Sequence, residues 1–224
     1  MKFNTNNKLP FFYEKKIITK LILLGLFSSF FYFIILKFTN IFTDLNFLEP
    51  LADNPFYQID KYPLYGIISN IVIFLWFASF LINVFLITKY KKDISLKASN
   101  KLLKSLYIGG YFSLLLFFLD LNDFQNKFRE EYIYIFLISN AIFLMWYISK
   151  TFFYKNIFII FLLSFIFLAF SMIIDLYQGR NIFKIARIYT TTIEELFKTL
   201  GASYFLFFWI ETLRKFYKQN KILH

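Results

Sequence analysis

Five stretches of this chain run for 15 residues or more without a charged side chain: 21–36, 62–88, 105–119, 132–149 and 156–174. A sixth, 199–210, is shorter and lies between Lys198 and Glu211. Within these stretches no polar face repeats at helical or strand spacing. A helix apolar on every side needs either a core larger than 224 residues easily build or lipid as its solvent. A hydrocarbon layer of about 30 Å takes about 20 helical residues, and a flanking lysine can extend a shorter run by reaching toward the headgroups. The pattern therefore predicts an all-α, polytopic integral membrane protein with about six transmembrane helices in one bundle. They form a single domain over 1–224, with spans near 17–37, 62–88, 102–120, 132–149, 156–175 and 196–214. The stretch "YPLYGIISNIVIFLWFASFLINVFLIT" is the longest, with Pro63 suited to its opening turn. The sixth span must extend past Glu211 or begin before Lys198.

Two connections stand out. Residues 38–61 carry Asp44, Glu49, Asp53, Asp60 and Pro50, the composition of an irregular loop. In the other, Ile182, Ile185, Ala186, Tyr189 and Ile193 recur at helical spacing with Arg180, Lys184 and Arg187 off that face. This predicts a short helix over 181–190 lying in the membrane interface. The first apolar stretch has a basic flank like a signal peptide, but "YFIILKFTN" has no small-residue cleavage pattern, so a retained anchor is expected. Asn70, Asn83 and Asn140 are costly against lipid and are expected to face the bundle and bond across helices. Ser105, Gly109 and Gly110 offer a close helix contact.

Charge adds an orientation. The chain carries +11 formally, in 25 basic and 14 acidic residues. Lys and Arg number five, six, two and four in alternate segments, against two, two and four in the others, or 17 against 8. Acids run the opposite way, 3 against 11. Basic excess marks the cytoplasmic side. Both termini are therefore expected in the cytoplasm, of a bacterial inner membrane, with the lipid bilayer as the chain's principal partner. This use of the basic residues leaves none for a nucleic-acid surface, so no nucleic-acid partner is expected. A homo-oligomer or a membrane-protein partner suits a small chain with few large loops.

Candidate chemistry is narrowed mostly by exclusion. The chain has no cysteine, which removes disulfides, thiolate catalysis and Cys-ligated metals. Its one histidine is His224, which removes Ser/His dyads and HExxH zinc sites. No phosphate-binding glycine loop occurs. What remains is carboxylates: Asp120 and Asp123 in "FFLDLNDF", Asp175 before the terminator Gly179, and Glu194 and Glu195 before the last apolar stretch. In the expected topology all lie toward the outer surface. Thr192 and Glu195 fit a capping box, and Glu194 and Lys198 fit an i,i+4 ion pair, with Gly201 one turn on to admit a neighbouring helix or ligand. That set describes the mouth of a helix. The same Asp120, Asp175, Glu194 and Glu195 become a catalytic set if they converge on one cavity. Oxygen ligands alone would suit a hard cation such as Mg²⁺ or Ca²⁺, and two carboxylates can divide acid and base roles. No cofactor is specified by any motif.

"EELFK", Glu194 to Lys198, resembles the EExxK motif of the PrsW-type intramembrane proteases and, more distantly, the EExxxR element of CAAX-type membrane proteases. The resemblance covers five residues and implies a catalytic role for Glu194 and Glu195. Phe207-x-x-x-Glu211 is similar to an accompanying FxxxE element, but stands on the same helix, and the histidine motifs of those families have no counterpart. Three functional readings follow. One is a multi-pass membrane protein with a structural, assembly or small-solute role. A second is a membrane-embedded carboxylate-dependent hydrolase or hard-metal enzyme. The third is a small transporter with a path through the asparagines.

Overall fold

The computed structural model describes residues 15–43, 67–92, 100–122, 130–151, 155–179 and 187–221, which form six α-helices. They are α1 (Lys15–Thr43), α2 (Ile67–Lys92), α3 (Asn100–Asn122), α4 (Glu130–Thr151), α5 (Lys155–Gly179) and α6 (Arg187–Lys221). Three of them contain segments long and apolar enough to cross a membrane: Asn70–Lys89, Leu103–Asp120 and Ile157–Tyr177. Shorter apolar segments lie in α1 (Thr19–Ile35) and α4 (Tyr132–Ile148). Only 33%, 33% and 28% of the three long segments are buried, so most of their surface faces outward. That surface remains apolar, with Phe74 and Tyr111 more than half exposed, and so does that of the shorter segments, with Phe27 and Ile142. Water is a poor solvent for so continuous an apolar face.

α6 is the hub, packing against α5, α2 and α1, while α2 packs closely on α3. α4 has only α3 and α5 as its main neighbours, and α1 only α6. The core between α2, α3, α5 and α6 is aromatic. Ring centroids stand 4.7 Å apart for Phe161–Phe165, 4.9 Å for Phe161–Phe208 and 5.6 Å for Trp76–Phe205. Tilted and edge-on pairs of this kind add about 0.5–1.5 kcal/mol each beyond burial. Small residues let the helices close. A Cβ on Gly109 would stand 2.2 Å from the Trp209 indole, and one on Gly201 2.7 Å from Leu168. Ser164 Oγ donates to the Gly201 carbonyl at 2.8 Å, so Gly201 admits a neighbouring helix, α5. The close contact expected at Gly109 is likewise present.

Several local expectations need correction. α6 is continuous from Arg187, so Thr192 lies inside the helix and no capping box starts there. Residues 187–190 form its first turn, and the rest of the expected interfacial helix, 181–186, lies outside the described residues, as do Pro63, Asp123 and most of 38–61. The asparagines bond along their own helices. Asn83 is buried but donates to the Ser79 carbonyl, Asn140 donates to the Phe136 carbonyl, and Asn70 is exposed. The carbonyl one turn back satisfies the N–H side of the Asn83 amide, while its buried Oδ1, turned toward Gly109 of α3, has no hydrogen-bond partner among the described residues. The terminator reading of Gly179 agrees with the end of α5.

Candidate functional site

The contacts fix helix directions near the site. α5 and α6 run antiparallel, since Phe161 meets Phe208 while Phe170 meets Phe197. α2 and α3 do so too, with Asn83 beside Gly109 and Trp76 joined to Asp120. The C-terminal end of α3, the C-terminal end of α5 and the N-terminal part of α6 thus share one end of the molecule. Asp120, Asp175 and Glu194 sit there.

These three acids, with Lys198, line one cavity of about 200 Å³. Its body is apolar and is walled by Phe112 of α3, Leu137 and Ala141 of α4, and Phe165 and Met172 of α5. Ile138 and Ile142, 47% and 57% exposed, also line it, so the cavity reaches the outer surface beside α4. The loose seating of α4 is what leaves the space, since the tighter pairs α5–α6 and α2–α3 close it on the other sides.

The polar end is built around Asp120. Its carboxylate accepts the Trp76 indole N–H at 2.8 Å and the Lys198 ammonium at 2.9 Å. Lys198 also lies 3.9 Å from Glu195, one turn back and buried. The ammonium's ion pairs are therefore with Asp120 and Glu195, not the i,i+4 pair with Glu194 that spacing predicts. An ion at this depth is better served by a partner across the bundle, where the low dielectric strengthens the attraction. Glu194 forms no ion pair or side-chain hydrogen bond among the described residues. Asp175, Lys198 and Asp120 line the same cavity. Tyr32 of α1, 2% exposed, lies in the field of Glu195 and Glu194.

Glu194 stands seven residues inside α6, about 10 Å along its axis. Glu194 to Lys198 is therefore not the mouth of a helix but part of the bundle. Asp120, Asp175 and Glu194 share the cavity, and Glu195 backs it through Lys198. Among the described residues no three Asp, Glu or His side chains stand close enough to hold a metal ion together. The acids are near neighbours, not a ligand set. Sequence reasoning placed Lys198 here but paired it with Glu194, and gave Trp76 and Tyr32 no place in this cluster. An indole amid 27 uncharged residues needs a hydrogen-bond partner from another helix, and that was the available signal for Trp76.

A family model described as a domain of unknown function, DUF8692, matches residues 21–212, which takes in all six helices in whole or part. The chain belongs to the DUF8692 family. No curated protein and no solved structure matches it. The DUF8692 match includes Asp120, Asp175, Glu194, Glu195 and Lys198, so the cavity lies wholly inside the family domain.

Proposed function

We propose that this DUF8692 protein spans a bacterial inner membrane six times, with both termini in the cytoplasm, and that its outer half binds an amphiphile. The apolar helices and the alternating charge support the topology. Six spans also require the first and fourth helices, whose apolar segments are shorter, and the sixth, which charges interrupt, to cross. The observation that carries the binding role is the cavity: apolar along its body, carboxylate-rich at one end, and open beside α4 where lipid would lie. A ligand that fits has a short apolar part and one polar head.

The test uses Trp76 as reporter, because its indole lines the cavity and is 1% exposed. In nanodiscs of the Trp146→Phe protein, which keeps Trp76 and the core Trp209 that does not line the cavity, a brominated short-chain amphiphile should quench part of the fluorescence saturably. Ala141→Phe, which fills the cavity from α4, should remove the saturable part. Quenching that is linear in ligand and indifferent to Ala141→Phe would sink the reading.

A second reading has its own observation. Asp175 and Glu194 face the same cavity from adjacent helices, α5 and α6. Two such carboxyls can divide acid and base roles in hydrolysis, one taking a proton from water while the other protonates the leaving group. Asp120, held by Trp76 and Lys198, then positions the cluster. The motif Glu194–Lys198 that resembles the intramembrane proteases falls in the same place. Under this reading, Glu194→Gln and Asp175→Asn each abolish turnover of an ester or amide amphiphile and leave its binding intact. A solute path has less support, since the asparagines it would use are turned to their own helices or outward.

A further inference from the structure

We propose that the bundle holds one buried water molecule at the junction of α2, α3 and α6, bridging the side chains of Asn83 and Trp209. Both side chains are completely buried. Asn83 Oδ1, an acceptor, and Trp209 Nε1, a donor, have no hydrogen-bond partner among the described residues. They meet at Gly109. The position a Cβ would take on that glycine lies 3.4 Å from Asn83 Oδ1. It lies 2.2 Å from Cζ2 of Trp209, on the same edge of the indole as Nε1. A buried polar atom left unpaired bears its full desolvation cost, and here an acceptor and a donor of that kind surround one point. Water answers both, donating a hydrogen to Oδ1 and accepting one from Nε1.

The two side chains are held too firmly to turn toward each other. Asn83 Nδ2 donates to the Ser79 carbonyl at 2.8 Å, and turning the amide over would set Oδ1 against that carbonyl. The Trp209 ring packs edge-on against Phe205 and Phe208, with centroids 6.0 and 4.6 Å away, and its benzo edge rests on Gly109. Neighbouring hydroxyls already donate elsewhere: Ser79 to the Leu75 carbonyl, Ser113 to the Gly109 carbonyl and Thr212 to the Phe208 carbonyl. There is room beside the amide. Gly110 is buried, yet outside the backbone of α3 its Cβ position has only Asn83 Cβ and Cγ near it among the described residues, at 3.3 and 3.9 Å. Buried waters make about three hydrogen bonds and are costly to remove, because the groups they serve are then stranded. This one joins α2 to α6 across the glycine of α3, a link that Asn83 alone does not make. The site is separate from the carboxylate cavity, which neither Asn83 nor Trp209 lines. Gly109 precedes Asp120 by 11 residues and Trp209 follows Lys198 by 11, about 16 Å along each helix.

The experiment is water-edited solid-state NMR of the full chain in lipid bilayers, labelled with ¹⁵N throughout and ¹³C at asparagine. The expected result is magnetisation transfer from water to the Trp209 indole N–H, with the backbone amides of Phe205 and Phe208 receiving none. Asn83→Leu should abolish the transfer to the indole. No transfer in the wild-type chain would overturn the proposal by showing a dry junction. A short distance from the indole N–H to Asn83 Cγ, without transfer from water, would overturn it in favour of a direct bond. Equal transfer to the Phe205 and Phe208 amides would mean general hydration of the core, which overturns a single held water. Undiminished transfer in a folded Asn83→Leu protein would overturn the part given to Asn83. The choice between a held water, a direct bond and a dry junction is made on the wild-type chain, so a variant that fails to fold leaves the test standing.

Discussion

At the scale of single residues, the sharpest consequences lie where a side chain has no room or no substitute. The Cβ that Gly109→Ala adds would meet Cζ2 and Cη2 of Trp209 at 2.2 and 2.4 Å, and that indole is completely buried. Overpacking of this kind costs about 1–3 kcal/mol. Gly110→Ala, whose added carbon meets only Asn83 at 3.3 Å, should cost clearly less. Thermal unfolding of the two variants in one detergent checks the order, and equal midpoints would refute the close contact. The pair Lys198–Asp120 makes a second contrast. Their side chains are 21% and 15% exposed, so screening is slight. Lys198→Met strands a buried carboxylate and should destabilise by about 3 kcal/mol, the lower end for a broken buried pair. Adding Asp120→Asn keeps an acceptor for the Trp76 indole while removing the charge, and should recover much of the loss. No recovery in the double variant would mean that the ion pair is not what holds this end together. Sequence spacing named these acids but not their partners. Glu194 and Lys198 match a helix-surface pair in one dimension, and only the approach of α3 offers the ammonium a better partner.

At the scale of elements, α6 explains why its own reading was the hardest. It is the longest helix and carries Glu194, Glu195, Lys198 and Glu211 in its interior, so no window in it is as apolar as those of α2, α3 and α5. Two of its charges are answered by other helices, a fact absent from any local window: Lys198 by Asp120, and Glu211 by Lys20 at 2.6 Å, beside Arg214 of α6 itself at 3.5 Å. The apolar stretches of α2, α3 and α5 were legible because lipid-like surroundings leave a compositional mark on all faces. The start of α6 was not, because Thr192 and Glu195 satisfy a capping pattern that the helix overrides by extending to Arg187. α1 depends on α6 in turn. Besides Lys20–Glu211, the Tyr204 hydroxyl donates to the Leu21 carbonyl at 2.7 Å, across from Gly25. Interhelical hydrogen bonds in membranes average about 0.6 kcal/mol and reach about 1.7. Glu211→Gln with Tyr204→Phe should therefore loosen α1 and leave α5 unaffected. Hydrogen exchange should quicken at the α1 amides around Leu21–Ile34 and stay unchanged around Ile157–Phe165. Quickening spread evenly over all helices would show general destabilisation instead of release of one element.

At the scale of the whole molecule, one geometric relation ties the charge pattern to the cavity. Antiparallel packing puts Lys20, Glu211 and Arg214 at one end and Asp120, Asp175 and Glu194 at the other. The first end is the one that the excess of lysine and arginine assigns to the cytoplasm. Under the proposed topology the cavity opens toward the outer leaflet, and a ligand would reach it from outside or along that leaflet. The chain contains no cysteine, so each introduced thiol reports alone. In intact cells with a permeable outer envelope, a membrane-impermeant maleimide should label Asn126→Cys, in the connection after α3, and spare Ser95→Cys, in the lysine-rich connection before it. Opening the cells should make Ser95→Cys reactive. The reverse pattern would turn the protein over and place the carboxylate cavity on the cytoplasmic side. Labelling of both in intact cells would mean that the chain between them does not cross the membrane. The second outcome is the more damaging, because α3 joins the two positions and carries Phe112, Leu116 and Asp120. If α3 does not span, the apolar body of the cavity loses the lipid that its open side requires.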